Sequence, residues 1–207
     1  MTNNICQKRL ILTDADGVIF AWDYAFGIWM EQHGHTPVKK SNHYYSLADR
    51  YNLDPKQVPQ LVKQFNESAA MGFLPALRDA VFYIKRLHEE HGYEFHCITS
   101  MGKEPNAVKL REMNIRKLFG DTAFSKIICL DTQAPKYDIL KQYSDTGLYW
   151  IEDNYTNCVA GLEFGLKPVL MEHGFNMTRH IPTGVSKVTS WREIYEMITG
   201  ENYERST

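Results

Sequence analysis

The sequence predicts an α/β protein with a parallel sheet between two helical layers and a small helical segment inserted after the first strand. Three observations predict it. From Leu74 onward, short apolar runs alternate with amphipathic stretches, the rhythm of parallel strands joined by crossover helices. Residues 21–75 lack that alternation and instead carry apolar residues at helical spacing. The first apolar run ends in DADG, two aspartates one residue apart followed by glycine. Polar residues there fall where an open α/β sheet keeps its ligand crevice, at the carboxyl ends of the strands.

The elements follow in order. Residues 9–13 (RLILT) form the first strand. In AWDYAFGIWMEQHG, Trp22, Phe26, Trp29 and Met30 share a helical face and Gly34 ends the helix. SNHYYSLADRYNL and DPKQVPQLVKQFNESAAM continue the helical pattern, with Ser41 and Asp54 as capping residues. PALRDAVFYIKRLHEEHG is an amphipathic helix with Pro75 near its start and Gly92 past its end. Then come strand YEFHCIT, helix PNAVKLREMN, strand SKIICL, helix PKYDILKQYS, strand LYWIE, helix TNCVAGLEFG and strand KPVLME. A helix over 190–199 closes the chain. Residues 1–20 and 76–207 thus make the α/β core. Residues 21–75 make a cap above the carboxyl end of the first strand.

Composition narrows the function. The chain has 207 residues, 43% hydrophobic and 23% charged, with a formal charge of −2. That suits one core with a small accessory domain. It gives no basic field for a nucleic acid polymer or an anionic membrane. No apolar run approaches a membrane span, and the opening MTNNICQKRL lacks the apolar core of a secretory signal. Cys6, Cys97, Cys129 and Cys158 are far apart with no CxxC pair, as expected of reduced thiols in a cytoplasmic protein. The expected partner is a small soluble molecule. The helical cap also offers a face for a second copy of the chain, so a homodimer is an expectation.

Four strand ends carry polar groups: Asp14 and Asp16, then Thr99 and Ser100, then Lys136 at the mouth of the next helix, then Glu152 and Asp153. Several carboxylates in one crevice repel one another unless a cation joins them. Oxygen ligands together with a substrate phosphate suit Mg2+. Asp14, the backbone carbonyl of Asp16 and Asp153 are natural ligands, with Glu152 direct or through water. Thr99 or Ser100 would hold phosphate oxygens, and Lys136 would neutralise charge beside Asp14. A carboxylate oxygen of Asp14 can attack phosphorus, and Asp16 can serve as acid and then base. Lys126 and Lys141 compete with Lys136, but one precedes a strand and the other lies within a helix.

These motifs resemble those of the haloacid-dehalogenase-like phosphohydrolases. DADGV resembles the family's DxDG(T/V) motif, CITS its hydroxyl motif, APK its lysine motif and YWIEDN its paired acidic motif, all in the family's order. The resemblance covers most of the chain and implies a Rossmann-like core with a C1 helical cap. It also implies an Asp14 nucleophile, an Asp16 acid/base, phosphate contacts from Thr99 and Lys136, and Mg2+ on Asp153. CITS further resembles the CTSP segment of 5'(3')-deoxyribonucleotidases, which adds Ser100 as a phosphate ligand. Met101 stands where that segment has proline. The EDN sequence is similar to the Glu-Asp pair of the phosphoglucomutase-like branch. The implied activity is a Mg2+-dependent phosphatase acting on a small phosphomonoester, with a nucleoside monophosphate first. A sugar-phosphate phosphatase, a phosphomutase or a non-catalytic phosphometabolite-binding protein are the alternatives.

Two further signals have plainer readings. HEEH at 88–91 spaces its histidines three apart, not the four of a zinc-protease helix, and falls at a helix end that favours cationic residues. The aromatics after DADGV are mostly cap core at helical spacing. Phe20, Trp22 and Tyr24 are nonetheless the candidates to stack on a base or sugar, with Tyr44 and Tyr45 behind them.

Overall fold

The computed structural model describes residues 9–201; Cys6 and the opening residues lie outside that range, as do 202–207. Among the described residues six strands form one parallel sheet: β1 (Leu10–Thr13), β2 (Glu94–Thr99), β3 (Phe124–Cys129), β4 (Tyr149–Glu152), β5 (Lys167–Met171) and β6 (Ser186–Val188). Their spatial order is β3-β2-β1-β4-β5-β6. The chain therefore reverses its direction of travel at β1, which makes the carboxyl end of β1 the topological switch point. Thr13 is in register with Cys97 on one side and Ile151 on the other. That register brings the ends of β1, β2 and β4 level.

The eight α-helices among the described residues are α1 (Trp22–Gln32), α2 (Leu47–Tyr51), α3 (Val58–Asn66), α4 (Ala80–Glu89), α5 (Pro105–Phe119), α6 (Tyr137–Leu140), α7 (Tyr155–Glu163) and α8 (Trp191–Thr199). All four residues of β1 are buried, and its pleat sends neighbours to opposite layers. Ile11 joins the core beneath α4, α5 and α8, whereas Leu12 joins Leu140 and Trp150 on the other face. The described cysteines Cys97, Cys129 and Cys158 are free thiols. Among the described residues no helix is long and apolar enough to cross a membrane.

Residues 22–73 pack around Phe26, Met30, Val62 and Phe65. Trp22 stacks on Phe26 at 4.5 Å, and the Phe65 ring meets both edge-on. This apolar cluster is continuous with that of the sheet. Its two connections to the core are zipped together. Ala21 N–H donates to the Pro75 carbonyl at 2.9 Å, and Leu77 N–H to the Ile19 carbonyl at 2.8 Å.

That pairing corrects one boundary. Pro75 does not open α4, because residues 75–77 are held extended against 19–21 and the helix begins at Ala80. Neither expected cap holds a helix: Ser46, not Ser41, caps α2, and Asp54 closes a turn by accepting from Lys56 N–H. The helix after β2 runs on to Phe119, and the one at 137 tightens into a 3-10 turn at 141–143. The three-residue β6 was too short for a periodicity signal.

Asp79 stands just before α4 yet does not cap it. Its two carboxylate oxygens instead accept the N–H groups of Trp191 and Arg192, at 3.1 and 3.0 Å, so one helix start satisfies the orphan donors of α8. Asp79→Ala should destabilise the fold by about 1 kcal/mol, with Asp79→Asn losing less. A thermal melt checks this, and an unchanged midpoint for Asp79→Ala would show that α8 does not need the contact.

Candidate functional site

The strand ends enclose one crevice of ≈ 640 Å³, roofed by the helical segment. Asp14, Asp16, Thr99, Ser100, Lys136, Glu152 and Asp153 all line it, together with Trp22. Phe20 and Tyr24 do not. The turn after β1 is tight: Gly17 has φ +77°, and its N–H donates to the Phe20 carbonyl at 2.9 Å. It folds Phe20 back into the core, where it is fully buried and its ring meets Phe119. Tyr24 is two residues from Trp22, roughly 200° around the helix. It points outward and is 65% exposed.

Lys136 is the hub of the site. Its ammonium lies 2.7 Å from Asp14 Oδ1 and 2.8 Å from Glu152 Oε2, with all three side chains at least nine-tenths buried. Burial alone would lower the lysine, but Asp14 and Glu152 more than offset it and hold the ammonium above its ordinary value. Asp14 Oδ1 also accepts Ala15 N–H at 2.7 Å. Glu152 has both oxygens committed, Oε2 to Lys136 and Oε1 to the N–H groups of Asp153 and Asn154. These contacts make it a support for the loop that carries Asp153. Lys126 lies on β3 and Lys141 in the 3-10 turn, and neither lines the crevice.

Asp14, Glu152 and Asp153 each offer an oxygen within 4.8 Å of the others. Three carboxylates face one ammonium. Burial, first, and the neighbouring carboxylates, second, push both Asp14 and Asp153 above the usual carboxylate range. The donor set fits a divalent cation: all oxygen, with a surplus of negative charge and little water to screen it. Asp14 and Asp153 would hold the ion, with the backbone carbonyl of Asp16. Gly17 makes room for this arrangement, since a Cβ there would fall 2.0 Å from Asp153 Oδ2.

Neighbouring loops fix these groups. His173 meets the Gly17 carbonyl through Nε2 at 2.7 Å, and burial keeps its ring below the usual imidazole range. Asn176 donates to the carbonyls of Asp153 and Met171. Ser100 donates its hydroxyl to the Ala134 carbonyl at 2.8 Å, which steadies the loop leading to Lys136. Asn66 accepts from Trp22 Nε1 and donates to the Met101 carbonyl, tying α3 to the end of β2.

Five side chains at the site escaped sequence reasoning. Arg111 on α5 reaches Asp16 at 2.7 Å. It lies on the buried stripe Ala107, Arg111, Asn114, Ile115, and a charged residue on an apolar stripe is the signal that could have found it. Arg50 pairs with Asp23 at 2.8 Å and lies over the Phe175 ring. Tyr45 accepts from Asn154 and meets Phe175 edge-on. No pattern in the sequence marks Asn66, Arg50, Asp23 or Phe175 in advance, because each comes from a different turn of the cap or from a loop; Tyr45, one of the expected aromatics, does line the crevice. The histidines of HEEH are structural: His88 bridges the Tyr93 carbonyl and Thr122, and His91 meets the Tyr195 hydroxyl.

No protein-family model matches the chain. It is 24% identical over 197 residues to an uncharacterized 32.4 kDa protein from the gp30–rIII intergenic region of Enterobacteria phage T4, a match covering 91% of this chain and 69% of that one. Among solved structures it is similar to a haloacid-dehalogenase-like family hydrolase from Streptococcus pneumoniae, with a TM-score of 0.63, 14% identity, and 94% of this chain and 100% of that one covered. It is also similar to the D,D-heptose 1,7-bisphosphate phosphatase of B. bronchiseptica, complexed with magnesium and phosphate. There the TM-score is 0.53 at 13% identity, over 94% of this chain and 99% of that one. The chain has the haloacid-dehalogenase-like fold.

The raised carboxylates set a pH dependence. A carboxylate whose folded pKa lies above its unfolded value of ~4 adds stability below that value. The contribution is lost as pH rises through the folded pKa. In EDTA the melting temperature should therefore fall as pH rises through neutrality. Added Mg2+ should raise it more at pH 8 than at pH 6, since the ion needs the ionised ligands. Asp153→Asn should abolish most of that increment; an Mg2+ effect independent of pH and of Asp153 would place the ion elsewhere.

Proposed function

On this fold we propose a Mg2+-dependent phosphatase that hydrolyses a small phosphomonoester through an aspartyl-phosphate intermediate. The observation that carries it is the buried Lys136 ammonium bridging Asp14 and Glu152, at 2.7 and 2.8 Å, on the floor of a crevice that Asp16, Thr99, Ser100 and Asp153 also line. Bound Mg2+ would supply charge neutralisation for the nucleophile and the phosphate together. Lys136 fixes Asp14 through Oδ1, where Ala15 N–H also binds, and Oδ2 is the oxygen proposed to attack phosphorus. As the new O–P bond forms, the ester P–O bond breaks and the leaving alkoxide takes a proton from Asp16. Water then attacks the phosphorus of the acyl phosphate and gives its proton to Asp16. Phosphate leaves, and Asp14 is restored. Thr99 and Ser100 would hold the phosphate oxygens. Ser100 exchanges its bond to the Ala134 carbonyl for this contact.

The substrate proposed is a nucleoside monophosphate. Trp22 and Tyr45 from the cap, with Phe175 from the loop after β5, give the crevice aromatic walls. Arg50 and Asn66 add polar groups near the same wall. The volume is of the order of small-molecule sites and far below what a polymer needs. The haloacid-dehalogenase-like phosphatases similar in fold support the hydrolytic reading.

The purified protein should release phosphate from p-nitrophenyl phosphate with Mg2+ and not in EDTA. Asp14→Asn should lower kcat by on the order of 10³ or more. A panel of phosphorylated metabolites, assayed for free phosphate, should rank nucleoside monophosphates first; no release from any member by the wild type would overturn the hydrolase. Trp22→Ala should raise KM for a nucleoside monophosphate roughly tenfold, as expected for loss of one stacking contact. It should leave p-nitrophenyl phosphate nearly unchanged.

A further inference from the structure

Arg111 is a fully buried arginine on the core-facing stripe of α5. A guanidinium in that position is expensive to desolvate, and a methionine would fill the space between helix and sheet at no such cost. Its contacts point to another purpose. Nη2 lies 2.7 Å from Asp16 Oδ1 and 2.9 Å from Oδ2. Nε meets the Met101 sulfur at 3.2 Å, and the Phe20 ring lies 4.8 Å from Cζ. Nη1 finds no partner among the described residues. The slot between Phe20 and Met101 fixes the plane of the guanidinium, and that plane fixes Asp16.

Two buried cations thus divide the carboxylates. Lys136 takes Asp14 and Glu152, and Arg111 takes Asp16. The directed hydrogen bond from Arg111 goes to Asp16 Oδ2, while Oδ1 is enclosed and receives none among the described residues.

Resting on the phosphatase reading, we propose that Arg111 is the positioning residue for Asp16. It orients the carboxyl so that Oδ1 is enclosed against α5 and Oδ2, on the open side, hands its proton to the leaving oxygen, and it stabilises the carboxylate that remains. The balance is simple. The Asp14 O–P bond forms, the ester P–O bond breaks, and the proton passes from Asp16 Oδ2 to the ester oxygen. The negative charge so created sits beside the guanidinium, where a fixed cation is worth most. Arg111 touches neither substrate nor phosphorus.

The assignment makes the effect of Arg111 depend on the leaving group. An alkyl phosphate such as glycerol 2-phosphate needs a proton on its departing oxygen, whereas p-nitrophenyl phosphate leaves as a stable anion. kcat/KM, which reports the first phosphoryl transfer, is measured for both esters. In Arg111→Met it should fall by on the order of 10²-fold for the alkyl ester and only a few-fold for the nitrophenyl ester. Arg111→Lys, which keeps the charge and loses the planar guanidinium, should fall between. On an Asp16→Asn background Arg111→Met should cause no further loss for the alkyl ester. Equal losses on both esters, or full additivity with Asp16→Asn, would overturn the assignment and leave Arg111 a structural residue. Circular dichroism and a thermal melt check folding. Should Arg111→Met not fold, the ester ratio for Arg111→Lys decides, with the Asp16→Asn/Arg111→Met pair, which removes both charges, beside it. A wild type inactive on both esters would overturn the hydrolase reading itself, a result visible before any variant is made.

Discussion

The structure is organised by the need to keep three acidic groups close together away from bulk water. Asp14 and Glu152 are buried at the ends of adjacent strands, with Asp153 one residue on. Without Lys136 between them the arrangement would carry a desolvation cost of several kcal/mol per ion. The lysine must therefore arrive at one point, and the chain goes to some length to bring it there. The loop from β3 rises over the end of β2, Leu130 N–H donating to the Thr99 carbonyl and Ser100 to Ala134. Gln133 takes a positive φ within it. Lys136 then enters at the start of α6, where the short helix and the following 3-10 turn anchor Leu140 in the core.

The helical segment serves the same crevice from above. Its connections to the core pair with each other through backbone bonds, so it leaves and returns at one place. Its far side is held by polar contacts: Asn66 on the Met101 carbonyl, Tyr45 on Asn154, Arg50 over Phe175. Gly174 completes the approach, since a Cβ there would fall 2.5 Å from the Asn42 carbonyl. Polar and aromatic contacts of this kind close over a site without merging the two halves at that edge. The apolar cluster under Phe26 and Phe65 joins them at the other. Access to the crevice is then a matter of the few contacts at the polar edge.

The residues that line the crevice were legible because topology forces them together. Residues at or just past the carboxyl ends of parallel strands lie by the crevice, so Asp14, Thr99 and Asp153 needed only correct strands and the switch point; Lys136, seven residues past β3, is brought in by the start of the next helix. Side chains whose direction depends on one turn were less legible. Phe20 follows Asp16 by four residues, yet the Gly17 turn sends it inward. Tyr24 and Trp22 differ by two positions on one helix and so face opposite ways. Ser41 and Asp54 have the chemistry of caps, but the chain begins its helices at Leu47 and Val58. Arg111 was the costly omission, because a helix stripe read only for apolar residues passes over a buried charge.

The spacing of Asp14 and Asp16 now has a physical account. Two carboxylates one residue apart cannot share a cation equally and still act differently. The backbone resolves this by turning sharply at Gly17, with the Ala15 carbonyl accepting from Val18, Ile19 and Phe20. The two side chains then meet different counter-charges: Asp14 an ammonium at the sheet end, Asp16 a guanidinium on α5. Lysine offers a compact charge that Asp14 and Glu152 can share from two sides. Arginine offers a planar fork that suits a single carboxylate held in one orientation. Their exchange would therefore fail at both places, because the difference lies in geometry rather than in charge. The division agrees with the exposures: Asp16 stays a quarter exposed while Asp14 is nearly covered. Under the proposed mechanism a nucleophile profits from being fixed and dry, whereas a group that would pass a proton to one partner and take it from another has to face the crevice.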